Sequence, residues 1–179
     1  MIKGDKMLIT RFIGAAFLVS VLPITVCAAA GNGPEVGKPA PSLIGRTLDD
    51  KVYRLKSDKA GPKVVNFFWV GCKPCRQEMP ELAQFEKKYK VVKFISIHTQ
   101  PANTPEESLK SVAKFVKSLP GAPSNIVLAA GGVQETFQYL GLPHTILLDS
   151  DNVVLMNFTG YTPDNMQRMD KALQQLAKQ

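Results

Sequence analysis

Hydrophobic and polar positions alternate along this chain with two distinct periods, and the boundaries between them mark out most of the elements. Lys63–Trp69 (KVVNFFW) is a nearly continuous β-branched and aromatic run bounded by Gly61-Pro62 and Gly71, which predicts a central strand buried on both faces. From Lys73 to Tyr89 the period changes: Met79, Leu82, Phe85 and Tyr89 recur at steps of three or four, the spacing of an amphipathic helix. Val91–His98 predicts a second strand. Thr104-Pro105-Glu106-Glu107 then combines an N-cap, a proline in the first turn and a capping-box glutamate, opening a helix that runs to about Leu119. Its apolar face is Leu109, Val112, Ala113 and Val116, with Lys110, Lys114 and Lys117 facing away.

The flanking segments follow the same logic. Ser42–Ile44 and Val52–Leu55 around the turn Asp49-Asp50-Lys51 predict an N-terminal hairpin at the edge of the sheet. Asn125–Ala129 reads as a short strand, Gly132–Leu140 as a short helix closed by Gly141, and Thr145–Leu148 with Val153–Phe158 as a hairpin turning at 149–152. Thr162-Pro163-Asp164 caps a last helix whose Met166, Met169, Leu173 and Leu176 stripe has the spacing of core packing. Strands alternating with helices predict an α/β fold, a mixed sheet with helices on both faces.

Length and composition narrow this to one domain. At 179 residues and 45% hydrophobic content the chain buries one substantial core and is too short for two ordinary domains. Residues 1–30 read as an export leader: basic Lys3, Lys6 and Arg11, an apolar run from Phe12 to Val26, then Cys27-Ala28-Ala29-Ala30. Pro23 interrupts the apolar run short of the roughly 20 residues a spanning helix needs, so cleavage after Ala28 or Ala30 is expected, with a retained membrane anchor as the alternative. Lipidation of Cys27 is a lesser alternative, because Val26 stands where a small residue is wanted. Residues 31–42, rich in Gly and Pro, read as a linker, and 43–179 as the folded domain. The export leader implies a periplasmic or otherwise extracytoplasmic location.

Charge adds little. Of the formal net charge of +7, residues 1–30 supply +2, and elsewhere Lys and Arg are interspersed with acids rather than gathered around stacking aromatics. Nucleic acid is not an expected partner.

The chemistry lies in the cysteines. With the leader removed, Cys72 and Cys75 are the remaining pair, in a compartment where disulfides persist. Trp69-Val70-Gly71-Cys72-Lys73-Pro74-Cys75 sets a CxxC where a buried strand turns into a helix. Free N–H groups and the positive end of the helix dipole stabilise a Cys72 thiolate, and the adjacent Lys73 ammonium adds to the field. Cys75, one turn further in and on the side of Met79 and Leu82, is expected to be more buried and less ionised, as suits a resolving thiol. Pro74 stiffens the turn without losing a hydrogen bond, since its N–H would be unpaired there anyway. The implied reaction is thiol–disulfide exchange, with no cofactor beyond the Cys72/Cys75 disulfide itself. A closed two-residue loop contributes little as a staple. Two other readings compete. One is a copper- or zinc-binding module using Cys72, Cys75 and a histidine, His98 or His144, although the spacings match no zinc-finger pattern and no second CxxC exists. The other is a thiol peroxidase, which needs Thr or Ser three residues before its reactive cysteine, where this chain has Trp69.

VVNFFWVGCKPCRQEMP at Val64–Pro80 and GLPHTILLDSDNVVL at Gly141–Leu155 together resemble the thioredoxin superfamily, specifically its TlpA/ResA-like exported branch. The resemblance spans about Pro34 to Leu176 and implies a thioredoxin-like sheet with an N-terminal hairpin and an inserted strand and helix within Lys90–Leu140. It implies that Pro143 is the family's cis-proline facing the CxxC, with Leu142 supplying backbone contacts to an extended substrate. Asn66 stands where thioredoxin has a buried carboxylate. A glutamate that some relatives carry after the next strand is replaced here by His98-Thr99-Gln100, so proton transfer to Cys75 needs another route. Gly71 replaces the usual aromatic before the first cysteine, and His144 follows the cis-proline where Thr or Ser is common. The resemblance further implies a monomeric enzyme acting on protein thiols and disulfides, as a reductase with oxidase as the alternative because Lys73-Pro74 does not set the direction, with electrons from a membrane-embedded donor and a role in cytochrome c maturation.

Overall fold

The computed structural model describes residues 32–100 and 104–178, so the expected leader and Cys27 lie outside the described residues. In chain order the elements are β1 (Ile44–Thr47), β2 (Val52–Arg54), β3 (Lys63–Phe68), α1 (Lys73–Lys88), β4 (Lys93–His98), α2 (Pro105–Lys117), β5 (Asn125–Ala129), α3 (Val133–Phe137), β6 (His144–Leu148), β7 (Val154–Thr159) and α4 (Pro163–Leu176). They build a 7-stranded sheet in the order β2-β1-β5-β4-β3-β6-β7. The central β3, β4 and β5 run parallel, and the hairpins β1–β2 and β6–β7 flank them antiparallel.

Alternation along β3 divides the interior. Every residue of this strand is buried, as its unbroken apolar run requires. Val64 and Phe68 face the side covered by α1, α2 and α4, where Leu82, Val112, Phe115, Met169 and Leu173 pack. Val65 and Phe67 face the opposite side, covered by α3 and the segment leading into β1, with Leu43, Val133 and Phe137. Helices therefore lie on both faces of a mixed sheet, as the element order predicts, and the arrangement is the thioredoxin-like one that the resemblance implies.

Three local differences from the sequence expectation have physical causes. β1 begins at Ile44 and continues to Thr47, through Gly45, which lies so close to β5 that a Cβ there would sit 2.5 Å from the Leu128 carbonyl oxygen. α3 stops at Phe137 rather than running to Leu140, because Gln138 takes a left-handed conformation (φ +54°) and turns the buried Tyr139 back onto Phe67, ring centroids 5.1 Å apart. The Gly/Pro-rich stretch before β1 lies against β7: Gly37 N donates to Val154 O (2.8 Å), Val154 N to Lys38 O (2.9 Å) and Ala40 N to Asn152 O (2.8 Å).

Candidate active site

β3 ends at Phe68 and α1 begins at Lys73, leaving Trp69–Cys72 to make the connection at the C-terminal edge of the parallel strands, where open α/β sheets place their sites. Cys72 N donates to Trp69 O (3.0 Å), closing the turn, and Cys72 is itself the N-cap of α1: its Sγ accepts from Cys75 N at 3.2 Å. One sulfur thus receives a helix N–H of the kind that favours a thiolate. Cys72 and Cys75 are joined as a disulfide, Cα–Cα 5.3 Å. The first is half-buried and the second completely buried among Phe68, Met79 and Val112. Lys73 is exposed beside Cys72, and no acidic residue stands in the first turn of α1 to offset its charge. Pro74 follows in that same turn.

On the helix that carries the sulfurs lies a buried carboxyl group that the sequence reading missed. Glu78 is three residues beyond Cys75, on the same face of α1, and is completely buried. Its Oε2 accepts from Asn66 Nδ2 at 2.6 Å and its Oε1 from Thr145 Oγ1 at 3.0 Å, while Asn66 Nδ2 also donates to Thr145 Oγ1 at 3.0 Å. Asn66 on β3 and Thr145 on β6 are register partners, so the sheet itself holds both ends of this clamp. Burial pushes the Glu78 carboxyl up to about 8, outweighing the two hydrogen bonds that favour its charged form. The carboxyl sought after β4 is absent from His98-Thr99-Gln100, yet one is present on the helix. Its signal was an acidic residue on the buried stripe Cys75, Met79, Leu82, where a charge has no packing reason to be.

The Leu142–Pro143 peptide bond is cis. It leads directly into β6, whose His144 pairs with Phe67, so Pro143 stands level with the end of β3. Pro143 O accepts from Gly160 N at 2.7 Å. Leu142 is half-buried and packs, with Cys72, on the apolar cluster that contains Cys75. The structure therefore brings Cys72, Cys75, Lys73, Pro74, Asn66, Leu142 and Pro143 to one pole.

The two histidines part company. His144 stacks on Tyr139 (5.1 Å) and faces Phe67, whereas His98 meets Phe68 edge-on at 5.4 Å, so they lie on opposite faces of the sheet. Burial alone lowers both to about 4 and keeps both neutral. A Cys2His2 set is geometrically excluded, and among the described residues no group of three or more His, Cys, Asp or Glu side chains converges to hold a metal ion.

Comparison with known proteins agrees with this geometry. The Redoxin family model matches residues 35–175. The chain belongs to the Redoxin family. Within it, the chain is similar to the thiol-disulfide oxidoreductase ResA of Bacillus thuringiensis subsp. konkukian (strain 97-27), 30% identical over 126 residues, 70% of each protein. It is also similar to the thioredoxin-like protein YneN of Bacillus subtilis (strain 168), 27% identical over 68% of this chain and 70% of that one. Among solved structures, a putative thiol:disulfide interchange protein DsbE from Chlorobium tepidum superposes with TM-score 0.69 at 19% identity, over 80% of this chain and 98% of the other. This redoxin is a TlpA/ResA-like member of the thioredoxin superfamily and a thiol–disulfide oxidoreductase.

Proposed function

We propose that the redoxin is an extracytoplasmic reductase of protein disulfides, and the observation that carries this reading is the layered site: a half-exposed Cys72 at the mouth of α1, a buried Cys75 behind it and a buried Glu78 one turn further. The Cys72 thiolate attacks a substrate disulfide, forming one S–S bond as the substrate's breaks and releasing one substrate thiolate. Cys75 then attacks Cys72 Sγ, closes the internal disulfide and releases the second thiolate. The substrate gains two electrons and the enzyme loses two. Exposure decides the order of attack, since only Cys72 is open to a macromolecular disulfide.

Glu78 supplies the missing proton route. When a donor reduces the internal disulfide, Cys75 leaves as a thiolate in an apolar cluster, where an anion is costly. A neutral Glu78 on the same helix face gives it a proton, and takes that proton back when Cys75 must become nucleophilic again. A carboxyl raised to about 8 keeps its proton at neutral pH and so has one to give to the departing thiolate. Leu142, ahead of the cis-Pro143, offers its backbone to an extended segment of substrate beside Cys72. Lys73 and Pro74 tune the thiolate through charge and rigidity. The leader-like residues 1–30 support export, and the family resemblance of the CxxC and cis-proline motifs extends the reading to a membrane-embedded donor and a place in cytochrome c maturation.

The deciding measurement is the reduction potential of the Cys72/Cys75 couple against glutathione and thioredoxin standards. A couple poised near or below thioredoxin, roughly −270 mV, supports the reductase, whereas one near −120 mV makes the protein an oxidant and overturns the direction.

A further inference from the structure

Gly71, the residue before the reactive cysteine, has an ordinary backbone conformation, so nothing in its dihedrals requires glycine. Its surroundings do. A Cβ at position 71 would lie 2.6 Å from Cζ3 and 2.7 Å from Cζ2 of Trp69, and closer still to Cη2, distances that real Cβ contacts do not reach. The six-membered ring of Trp69 therefore occupies the place where a side chain on residue 71 would stand. Trp69 is the chain's single tryptophan, its carbonyl oxygen accepts the Cys72 N–H, and 38% of its surface is exposed. A large aromatic ring left open to solvent, with a neighbour reduced to glycine to seat it, is not explained by core packing. The chain after α3 adds apolar surface at this pole: Leu140 is 70% exposed, and Leu142 is half-buried on the cluster that holds Cys75.

We infer that Trp69, seated on Gly71, is a specificity residue of the exchange site: its indole contacts an apolar side chain next to the attacked cysteine of an extended polypeptide, favouring such disulfides over polar ones. The inference rests on the exchange chemistry and adds to it the class of polypeptide taken. Removing an aromatic face from such a contact weakens binding more than chemistry, so the effect belongs in KM.

The test uses two peptide disulfides of equal charge, one with Leu and one with Ser beside the cysteine, turned over by the wild type, Trp69→Ala, Trp69→Phe and Gly71→Ala. The wild type is expected to prefer the Leu peptide about tenfold in kcat/KM, Trp69→Ala to reduce that preference below about twofold through KM, and Trp69→Phe to restore most of it. Gly71→Ala is expected to weaken the preference with Trp69 still present, accompanied by a shift in the emission of the single tryptophan as the ring is displaced. Equal kcat/KM for both peptides in the wild type overturns the assignment, as does a preference that survives Trp69→Ala or a loss confined to kcat. Turnover of neither peptide by the wild type is the distinct outcome that sinks the exchange chemistry together with it.

Discussion

At the scale of single residues, the site runs on two groups whose environments push them apart. Cys72 meets a helix N–H, a helix dipole and the Lys73 ammonium, all of which favour its anion. Glu78 meets burial, two neutral donors and the nearby Glu81 carboxylate, and burial wins. In a Cys75→Ser variant, the Cys72 thiol titrated by its thiolate absorbance is expected well below the free value of about 8.5; a value at or above it removes the electrostatic account of the nucleophile. Glu78→Gln keeps the shape of the clamp and removes the exchangeable proton. Regeneration of the dithiol is expected to slow by about 100-fold, and the inflection near pH 8 to vanish from its rate profile, while attack by Cys72 on an external disulfide changes little. A variant that slows both steps equally would make Glu78 a packing residue.

At the scale of elements, close approach decides where side chains are allowed. Gly45 sits in β1 beneath β5, and its Cβ position falls on the Leu128 carbonyl and on Val127 Cγ1, each at 2.5 Å. Gly45→Ala must part these two strands, and a loss of about 1–3 kcal/mol is expected in urea unfolding, with the hairpin amides of Arg46 and Thr47 losing exchange protection first. The same residue shows why the sequence misplaced this strand: a glycine followed by polar Arg46 and Thr47 carries the local signature of a turn, and only the neighbouring backbone makes glycine the residue of choice. Elements with strong internal periodicity were legible, namely β3 from its apolar run and α1, α2 and α4 from their stripes and caps. The end of α3 was not, because its termination at Gln138 answers to the stacking of Tyr139 on Phe67, a contact between positions 72 residues apart in the chain. The site was legible to the same degree: the CxxC declares itself by spacing, whereas the Asn66–Thr145–Glu78 clamp is assembled by β3–β6 register and has no local signature.

At the scale of the whole molecule, the buried ionisable groups set a pH optimum for the fold. His98 and His144 fall from an ordinary 6.5 to about 4 because burial penalises their cations. Between those values the unfolded chain binds more protons than the folded one, so each histidine's contribution is complete above 6.5 and is lost as pH falls toward 4. Glu78 behaves oppositely: raised from 4.5 to about 8, it holds a proton in the folded state that the unfolded chain releases, and its contribution is lost as pH rises from 4.5 to 8. Each unmatched proton corresponds to a slope of about 1.4 kcal/mol per pH unit. Between 4.5 and 6.5 two histidines oppose one carboxyl, so stability rises with pH by a net single proton's slope. Above 6.5 the carboxyl acts alone and stability declines until about 8. The depressed carboxylates Asp58 and Asp170, held by Lys93 and Lys88, add losses only as pH drops below their ordinary 3.8. Urea unfolding of the oxidised protein from pH 5 to 8.5 is therefore expected to show a maximum near 6.5, and Glu78→Gln to flatten the alkaline limb while steepening the acid limb from one proton's slope to two. A wild-type profile still rising through pH 8 would mean that Glu78 is ionised in the folded protein, and the proton route from Cys75 would lose its acid.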